Sequence, residues 1–340
     1  MARYYKLEHP LLVLAACASP ARAPSAPQEP ARGMQATSIA IADVRNILAM
    51  AFDDKRGRLW VAASSGSVVI VDPAAAKVVQ RIALPSTPQP PLEPRGPDHI
   101  AIVGDVAFVA NDSDYTLCAF DVTRAARLGC APTTSGVGAL VDVGGGELWV
   151  TTPNDHLTRV FDIRDPAHLH EVAAFSIPPR VPTGYAVDRK AHRVYAALGD
   201  SDVVASYDIA GRRALRSWQA GCGTNGTLDV AVDESSGRLI VACQKQLLVL
   251  DADGKRLGAL AIDGIARIAY SPARHEVYVP LMAKYRVAVV AVAGGALSLT
   301  RTHAAPGGPD TPTLAADGTL CLRNWDRDRV LVIPPDRTGN

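Results

Sequence analysis

The feature that most constrains the fold is a unit of about 43 residues that recurs seven times along the chain. Each unit holds an apolar strand, a polar turn, a second strand such as GRLWVAA, and a third strand. Successive second strands are spaced by 47, 42, 46, 45, 38 and 43 residues. A period of this length with four strands per unit is typical of β-propeller blades. The central apolar residues of the second strands are Leu59, Val106, Leu148, Val194, Leu239, Val277 and Leu320.

One four-stranded sheet cannot cover both of its own faces, but radial packing buries each blade against its neighbours. The seventh unit, 311–334, contains only three strands, and the segment 37–43 (TSIAIAD) can supply the fourth. We therefore predict an all-β, seven-bladed β-propeller over residues 37–336, whose last blade is closed by an N-terminal strand. Five of the seven third strands end in aspartates, which we expect to accept bonds from turn N–H groups; they are Asp72, Asp121, Asp162, Asp208 and Asp251.

Composition agrees with a chain of many short strands and excludes one class of partner. The chain has 340 residues, of which 48% are hydrophobic and 20% charged, with 27 Gly and 25 Pro. Glycine and proline mark turns. The net charge is +1 and no run of Lys and Arg occurs. A phosphate backbone would require a concentrated basic face, so we predict no nucleic-acid partner.

The N-terminus has the pattern of a targeting segment. Arg3 and Lys6 precede a short apolar stretch, and Leu14 to Cys17 resembles a bacterial lipobox. In lipoproteins the cysteine becomes the first mature residue and carries acyl chains, each buried methylene contributing ~0.8 kcal/mol to membrane binding. We predict a lipoprotein signal peptide over 1–17 with lipidation at Cys17. An ordinary cleaved signal, or no signal at all, are the alternatives.

Residues 18–36 are rich in proline and alanine and poor in large apolar side chains. This composition predicts a disordered tether between the membrane and the propeller. Ala18 follows the cysteine where inner-membrane lipoproteins usually carry aspartate, which favours the outer membrane. We expect a protein of the cell envelope that faces the periplasm, or one that is otherwise secreted. The lipid would be its membrane contact.

The repeated pieces D-x-x-x-x-R-L-x-V-A and V-x-V-x-D resemble the YVTN family of β-propellers, within the quinoprotein amine dehydrogenase β-chain-like superfamily. Examples are Asp53 through Ala62, Val69 to Asp72, and Asp233 through Ala242. The resemblance covers 37–336 and implies the propeller fold. That family includes binding proteins, scaffolds and enzyme subunits, so it does not imply one function. The Gly-His and Trp-Asp pairs of WD40 repeats do not recur, which disfavours that family.

Two cysteine pairs are candidates for disulfides, which an extracytoplasmic location permits. Cys118 and Cys130 flank a turn and lie opposite each other in a simple hairpin. The resemblance to YVTN-like proteins implies a second bridge, between Cys222 and Cys243. Simple hairpin register places Leu228 opposite Cys243, so Cys222 must fold back to reach it.

Two of the loop sets in a propeller form one rim of the central pore, where ligands usually bind. We predict that a ligand site lies there, and the sequence assigns no particular metal to it. No catalytic set and no cofactor motif is evident, and the Pro-rich insert 85–97 is expected to extend over the mouth. The candidate ligand-binding residues are Arg45, Asp98, His99, Asn225, Arg267 and Asp310.

Two functions remain open from the sequence. The first is a non-catalytic scaffold that binds an envelope protein or a small molecule at the pore rim. The alternative is an envelope hydrolase of lactonase type, or an oxidoreductase subunit, with a metal or quinone held at the pore. His99 beside Asp98 is the candidate for acid/base or metal chemistry, although a histidine satisfied by neighbouring backbone is the simpler interpretation.

Overall fold

The structure is a computed structural model that describes residues 31–44, 46–89, 92–177, 182–199, 201–325 and 328–335. The predicted signal peptide with Cys17, most of the predicted tether, and Arg45 lie outside these residues. The described part of the chain begins with two strands, β1 (Ala31–Gln35) and β2 (Thr37–Ala40), which join the last two of seven radially arranged sheets.

The first four blades are regular four-stranded antiparallel sheets. Blade 1 consists of β3 (Ile47–Asp53), β4 (Arg58–Ala63), β5 (Ser67–Asp72) and β6 (Lys77–Ala83). A hairpin of β7 (Thr87–Gln89) and β8 (Leu92–Arg95) follows. Blade 2 consists of β9 (Pro97–Val103), β10 (Val106–Asn111), β11 (Thr116–Asp121) and β12 (Ala126–Pro132). Blade 3 consists of β13 (Ala139–Gly144), β14 (Glu147–Thr152), β15 (Leu157–Asp162) and β16 (His170–Ser176). Blade 4 consists of β17 (Pro182–Asp188), β18 (Arg193–Leu198), β19 (Val203–Asp208) and β20 (Arg213–Gln219).

The remaining blades include the two N-terminal strands. Blade 5 consists of β21 (Thr227–Asp233), β22 (Arg238–Cys243), β23 (Gln246–Leu250) and β24 (Arg256–Ala261). Blade 6 consists of β25 (Ala269–Ser271), β26 (Glu276–Leu281), β27 (Arg286–Ala293) and β28 (Ala296–Ala304). Blade 7 consists of β29 (Pro309–Leu314), β30 (Leu320–Asn324) and β31 (Arg329–Ile333). The described residues also include three short 3₁₀ turns, at Pro153–Asp155, Gly223–Asn225 and Met282–Lys284.

The apolar core is divided into clusters that lie between neighbouring blades. Trp60 of blade 1 and Phe108 of blade 2 are both fully buried, although they belong to different clusters. Within the described residues there are seven such clusters, and each draws side chains from two adjacent blades. One of them joins Cys321 and Val330 of blade 7 to Ile47 of blade 1. The predicted all-β, seven-bladed propeller is therefore confirmed, with apolar packing at every interface.

The two N-terminal strands lie at the outer edges of blades 6 and 7. β2 pairs antiparallel with β31, with Ile39 opposite Val330, so blade 7 has four strands. β1 pairs parallel with β28 on blade 6. The segment predicted as a disordered tether, 18–36, thus overlaps a strand at its C-terminal end. The unpaired edge of β28 offers backbone donors and acceptors, which explains why an extended segment can add there.

The ring has two rims of different construction. The connections from first to second strands and from third to fourth strands lie on one rim, which we call the turn face. The connections from second to third strands and between blades lie on the other rim, which we call the entrance face. Those predicted ligand residues that the structure describes belong to the entrance face. Among the described residues no helix is long and apolar enough to span a bilayer.

The Pro-rich insert 85–97 is not the extended arm that its composition suggested. Most of it forms the β7–β8 hairpin at the entrance face. Thr87 Oγ1 lies 2.8 Å from Ser113 Oγ, and Arg95 donates to the Tyr115 hydroxyl at 2.8 Å. These bonds hold the hairpin against the second-to-third-strand turn of blade 2.

Candidate functional site

The entrance face contains an open pocket of about 750 Å³ at blades 4 to 7, which we call the entrance pocket. It brings together two of the predicted residues, Arg267 and Asp310, although they are 43 positions apart in the sequence. Asn225 is in the 3₁₀ turn that contributes the adjacent Thr224 to the lining. The lining residues are Thr183, Thr224, Leu228, Gln244, Gly264, Ile265, Ala266, Arg267, Met282, Ala283 and Asp310.

A recurring irregularity of the innermost strands shapes this face. In blades 1, 2, 4, 5 and 7 the register with the second strand skips one residue near the entrance end. β-Bulges of this kind bend a strand and redirect its side chains. Thr183 and Leu228 are two of the skipped residues, and both line the entrance pocket. The others are Leu48, Asp98 and Thr311.

Arg267 is the cation of the entrance pocket, and it is half-buried. It is part of the connection between blades 5 and 6. Across the described residues no hydrogen bond or ion pair of its guanidinium is found. Its electrostatic influence reaches Asp229, whose pKa it lowers. A guanidinium that is partly withdrawn from water usually has an anionic partner. Because no described residue provides one through a hydrogen bond or ion pair, this side chain is available to a ligand.

Asp310 is engaged within the protein. Arg323 donates from one terminal nitrogen to Asp310 Oδ2 at 2.7 Å and from the other to the Ile47 carbonyl at 2.7 Å. Arg323 is buried, and Asp310 matches its positive charge. It links blade 7 to the first strand of blade 1. Asp310 therefore lines the pocket but has an internal cationic partner.

Asp229 is a buried carboxylate that the sequence analysis did not identify. Its Oδ1 accepts the N–H of Val230 at 2.9 Å, and its Oδ2 accepts the N–H of Ile268 at 3.0 Å. The second bond joins blade 5 to the start of blade 6. A Cβ on Gly184 of blade 4 would overlap the carboxylate. Burial raises the pKa of Asp229 to about 6, against the opposing effects of Arg267 and the two N–H groups.

Asp98 and His99 lie apart from the entrance pocket lining, on blade 2. His99 Nδ1 is 3.3 Å from Asp98 Oδ2, without hydrogen-bond geometry. Asp98 Oδ1 is buried and has no hydrogen-bond partner among the residues described. Burial and the charge of Asp98 raise the pKa of Asp112, whose N–H donates to the Gly96 carbonyl at 2.9 Å. This small group of polar side chains is a second candidate site at the entrance face.

The remaining predicted rim residues are Arg45 and Asn225. Arg45 lies outside the described residues, and of Asn225 only the backbone is described. Next to Arg45, the Asn46 N–H donates to Asp328 Oδ1 at 2.8 Å, across the boundary between blades 1 and 7. Asn46 and Asp328 line an opening of about 490 Å³ together with Ile47, Leu48, Arg323 and Trp325.

Both predicted disulfides are present. Cys118 and Cys130 lie directly opposite on β11 and β12 and are bonded. Cys222 is bonded to Cys243. The predicted register at that place is wrong by one position, because Thr227 rather than Leu228 lies opposite Cys243. The skipped residue Leu228 is free to line the entrance pocket instead.

Three large apolar side chains are exposed on the entrance face of blades 6 and 7. Met282 is 38% exposed, Tyr285 53% and Trp325 57%. All three are in the second-to-third-strand turns of these neighbouring blades, and we call them the apolar triad. The ring of Trp325 lies 4.2 Å from the guanidinium carbon of Arg323. The other exposed large apolar residues of the described segments are on outer strands, one each on blades 1, 3, 4, 5 and 6: Val79, Val172, Leu215, Leu257 and Leu299.

The turn face also has an opening, of about 680 Å³, among blades 4, 5 and 6. Tyr185, Asp229, Asp233, Tyr270 and His275 are part of its lining. Within the part of the chain that the structure describes, no three His, Cys, Asp or Glu side chains are arranged to hold a metal ion.

Comparison with known proteins gives a fold likeness. No family model and no curated protein sequence matches the chain. A chain of the mitotic checkpoint complex is similar at 14% identity, with a TM-score of 0.74 over 97% of this chain and 100% of that one. Hydrazine synthase of Kuenenia stuttgartiensis is similar at 15% identity, with a TM-score of 0.71 over 87% and 97%.

A third likeness is to the β-propeller domain of Cps50 (Swd1) from Myceliophteria thermophila. Its identity is 13% and its TM-score 0.66, over 88% of this chain and 99% of that domain. Together these similarities show a WD40-like seven-bladed β-propeller, although the WD40 sequence motif does not recur here. Identities this low show the fold alone.

Proposed function

We propose that this protein is a lipid-anchored, non-catalytic scaffold of the cell envelope, which binds another protein through the entrance face of blades 6 and 7. The observation that carries the proposal is the apolar triad, Met282, Tyr285 and Trp325, exposed on two neighbouring turns. Aromatic residues, Met and Arg are enriched where proteins bind each other. Arg323 and Arg267 lie beside these side chains.

The contrast with the outer wall supports this interpretation. There the exposed large apolar residues stand one to a blade, as scattered surface residues commonly do. Only on the entrance face do exposed Tyr, Trp and Met occur on adjacent turns, among the residues described. A protein surface that covered this sector would remove their apolar area from water.

The fold likeness is compatible with a scaffold. Propellers of the same architecture occur in a mitotic checkpoint complex and as a Swd1 domain, so the fold serves in assemblies. We propose an envelope protein as the partner, a small molecule being the alternative ligand. We further propose the YVTN-type assignment, the signal peptide over 1–17, the lipid on Cys17, and a periplasm-facing location favouring the outer membrane. No cofactor and no nucleic acid belongs to this proposal.

The enzymatic alternative has one specific observation in its favour. Asp98 and His99 are neighbours on the entrance face, the charge of Asp98 acts on Asp112, and Asp98 has a buried oxygen without a described partner. One similar structure, hydrazine synthase, is an enzyme by its description. A stoichiometric metal in the purified mature protein would favour the enzyme. So would a turnover activity that His99→Ala abolishes without lowering the melting temperature.

The scaffold function is tested by removing the apolar triad. We expect Met282→Ser, Tyr285→Ser and Trp325→Ser together to abolish a high-mass complex in mild detergent extracts of the envelope. The control is Val79→Ser, Leu215→Ser and Leu257→Ser, which removes three exposed apolar side chains from the outer wall. We expect the control to retain the complex, as judged by native gel migration of the epitope-tagged full chain.

Two results would contradict the proposal. One is a triad variant that folds, by its melting temperature, and still migrates with the complex. The other is equal loss of the complex in both variants. The membrane anchor is tested separately: Cys17→Ala should move the protein from the membrane pellet to the supernatant, and retention in the pellet would contradict lipidation at Cys17.

A further inference from the structure

We infer that Arg267 receives a carboxylate from the bound partner, namely an Asp or Glu side chain flanked by apolar residues that enter the entrance pocket. This inference rests on the proposed protein-binding function and specifies its chemistry. It depends on three properties of the pocket: an uncommitted guanidinium, anions that are already engaged, and a mainly apolar lining.

The guanidinium of Arg267 is uncommitted. It is half-buried and lines the pocket, and none of the described residues bonds to it or pairs with it. Arginine side chains withdrawn from water are normally matched by an acceptor. Arg323, 8% exposed, shows the matched case on the same face, with Asp310 and the Ile47 carbonyl as acceptors.

The carboxylates near Arg267 are engaged elsewhere. Asp310 faces Arg323 at 2.7 Å. Both oxygens of Asp229 accept backbone N–H groups, so Asp229 acts on Arg267 only through its field. The connecting loops around the pocket also carry Lys245 and Lys284, whose charges are balanced by Asp202 and Asp263. Arg267 is therefore the cation of the lining that no described carboxylate engages by a hydrogen bond, and it complements an incoming anion.

The rest of the lining selects the class of anion. Leu228, Ile265 and Met282 offer apolar contact, whereas Thr183, Thr224 and Gln244 offer only neutral hydrogen-bonding groups. One guanidinium matches one carboxylate through two parallel bonds. A phosphate group with two charges would be left with one cation in the lining. An acidic side chain between apolar neighbours uses the guanidinium and the apolar walls together.

The test uses short synthetic peptides with the purified propeller in its folded, disulfide-bonded form. The probe is the acetylated and amidated pentapeptide Gly-Leu-Asp-Leu-Gly, whose only charge is the internal carboxylate. Its control has asparagine in place of aspartate. Isothermal titration calorimetry at low ionic strength should give the aspartate peptide at least a roughly tenfold lower Kd, since charge-assisted bonds are about twice as strong as neutral ones.

Two variants distinguish binding of the carboxylate at Arg267 from nonspecific attraction by nearby positive charges. Arg267→Gln should bring the two peptides within about twofold of each other. Lys245→Gln removes one charge from an exposed position next to the lining residue Gln244, and it should keep the tenfold preference. The inference is wrong if wild-type protein binds neither peptide, or does not prefer aspartate. It is also wrong if Lys245→Gln removes the preference as completely as Arg267→Gln does.

A third probe distinguishes a partner segment from a free metabolite. N-Acetylleucine carries a free carboxylate on a small apolar molecule, and we expect it to bind at least about tenfold more weakly than the aspartate pentapeptide. Equal affinity would overturn the partner-segment inference. If the peptide tests fail but the triad variant still loses the high-mass complex, the inference about Arg267 is wrong and the proposed protein binding is unaffected. If the triad variant keeps the complex, the proposed function itself is contradicted.

Discussion

The two faces of the ring use their charged side chains differently. On the turn face, charges meet between neighbouring blades: Arg56 donates to Asp105 at 2.7 Å, and Arg189 donates to Asp142 at 2.9 Å. On the entrance face, Arg267 has no such partner among the described residues, and Tyr285 and Trp325 are exposed. The turn face is thus completed by contacts within the protein, whereas the entrance face leaves binding capacity unused.

Arg323 shows that this division is not complete. It lies on the entrance face, yet it holds blade 7 to blade 1 through the Ile47 carbonyl. Two cations of one face therefore have opposite expected roles, Arg323 in stability and Arg267 in binding. Both residues lie near a pocket, so position does not distinguish the two roles. The difference is that Arg323 has hydrogen-bond partners within the protein, whereas none of the described residues bonds to the Arg267 guanidinium.

The largest expected effect sharpens this contrast within the entrance face. Arg323→Met should lower the free energy of unfolding by about 3 kcal/mol, because Asp310 loses its cation and the Ile47 carbonyl loses its donor. Arg267→Gln should lower it by no more than about 1 kcal/mol, because among the described residues the interaction lost is the electrostatic effect on Asp229 and not a hydrogen bond or ion pair. Urea unfolding followed by tryptophan fluorescence measures both. A destabilised Arg267→Gln, or a fully stable Arg323→Met, would break the distinction.

The next effect concerns Asp229, where the innermost strands of blades 4, 5 and 6 meet. Its folded-state pKa, about 6, is raised above the ordinary 3.8. The folded protein therefore holds this proton more tightly than the unfolded chain does. Its contribution to stability is full below about pH 4 and is lost as pH rises toward about 6. The loss amounts to roughly 3 kcal/mol by linkage.

Asp229→Asn should flatten this pH dependence, because the amide does not titrate. The urea midpoint of wild-type protein relative to the variant should fall between pH 4 and pH 6 and then stay level. Carboxylates with lowered pKa, such as Asp72 and Asp121, contribute the opposite slope in both proteins and cancel in the difference. Parallel pH profiles of the two proteins would show that Asp229 titrates normally.

The smallest effect is expected on the turn face. Arg189 pairs with Asp142 of blade 3 and lies 3.9 Å from Glu234 of blade 5, but its side chain is half exposed. Exposed pairs contribute about 1 kcal/mol or less, so Arg189→Met should cost no more than that and should not affect peptide binding. A loss as large as that of Arg323→Met would mean that turn-face ion pairs, rather than apolar packing, hold the ring.

The sequence contained most of the fold because the fold is a repetition. The short apolar run in GRLWVAA and its six counterparts shows where each second strand lies, and the three-strand seventh unit predicts a missing strand. Four of the five aspartates after third strands accept N–H groups of the following turn as expected, and they are Asp72, Asp121, Asp162 and Asp251. Local chemistry of this kind needs no tertiary information.

The site was less accessible because it depends on which loops meet. Arg267 and Asp310 were both predicted from the sequence, and they share a pocket. Nothing in the sequence indicates that Arg323, inside a strand, donates to Asp310. Nor does it indicate that Leu228 is skipped in the strand register and lines the pocket. Asp229 lies in the ordinary pattern LDVAVD, which gives no sign that its carboxylate is buried between blades.

The central claim, that the entrance face of blades 6 and 7 is the binding surface, is tested most directly by photo-crosslinking in living cells. A photoreactive amino acid would be placed at Tyr285 on the entrance face, at Leu215 on the outer wall, and at Asp105 on the turn face. We expect one discrete protein adduct from position 285 and none from 215 or 105. Equal adducts from all three positions, or none from position 285, would contradict the account.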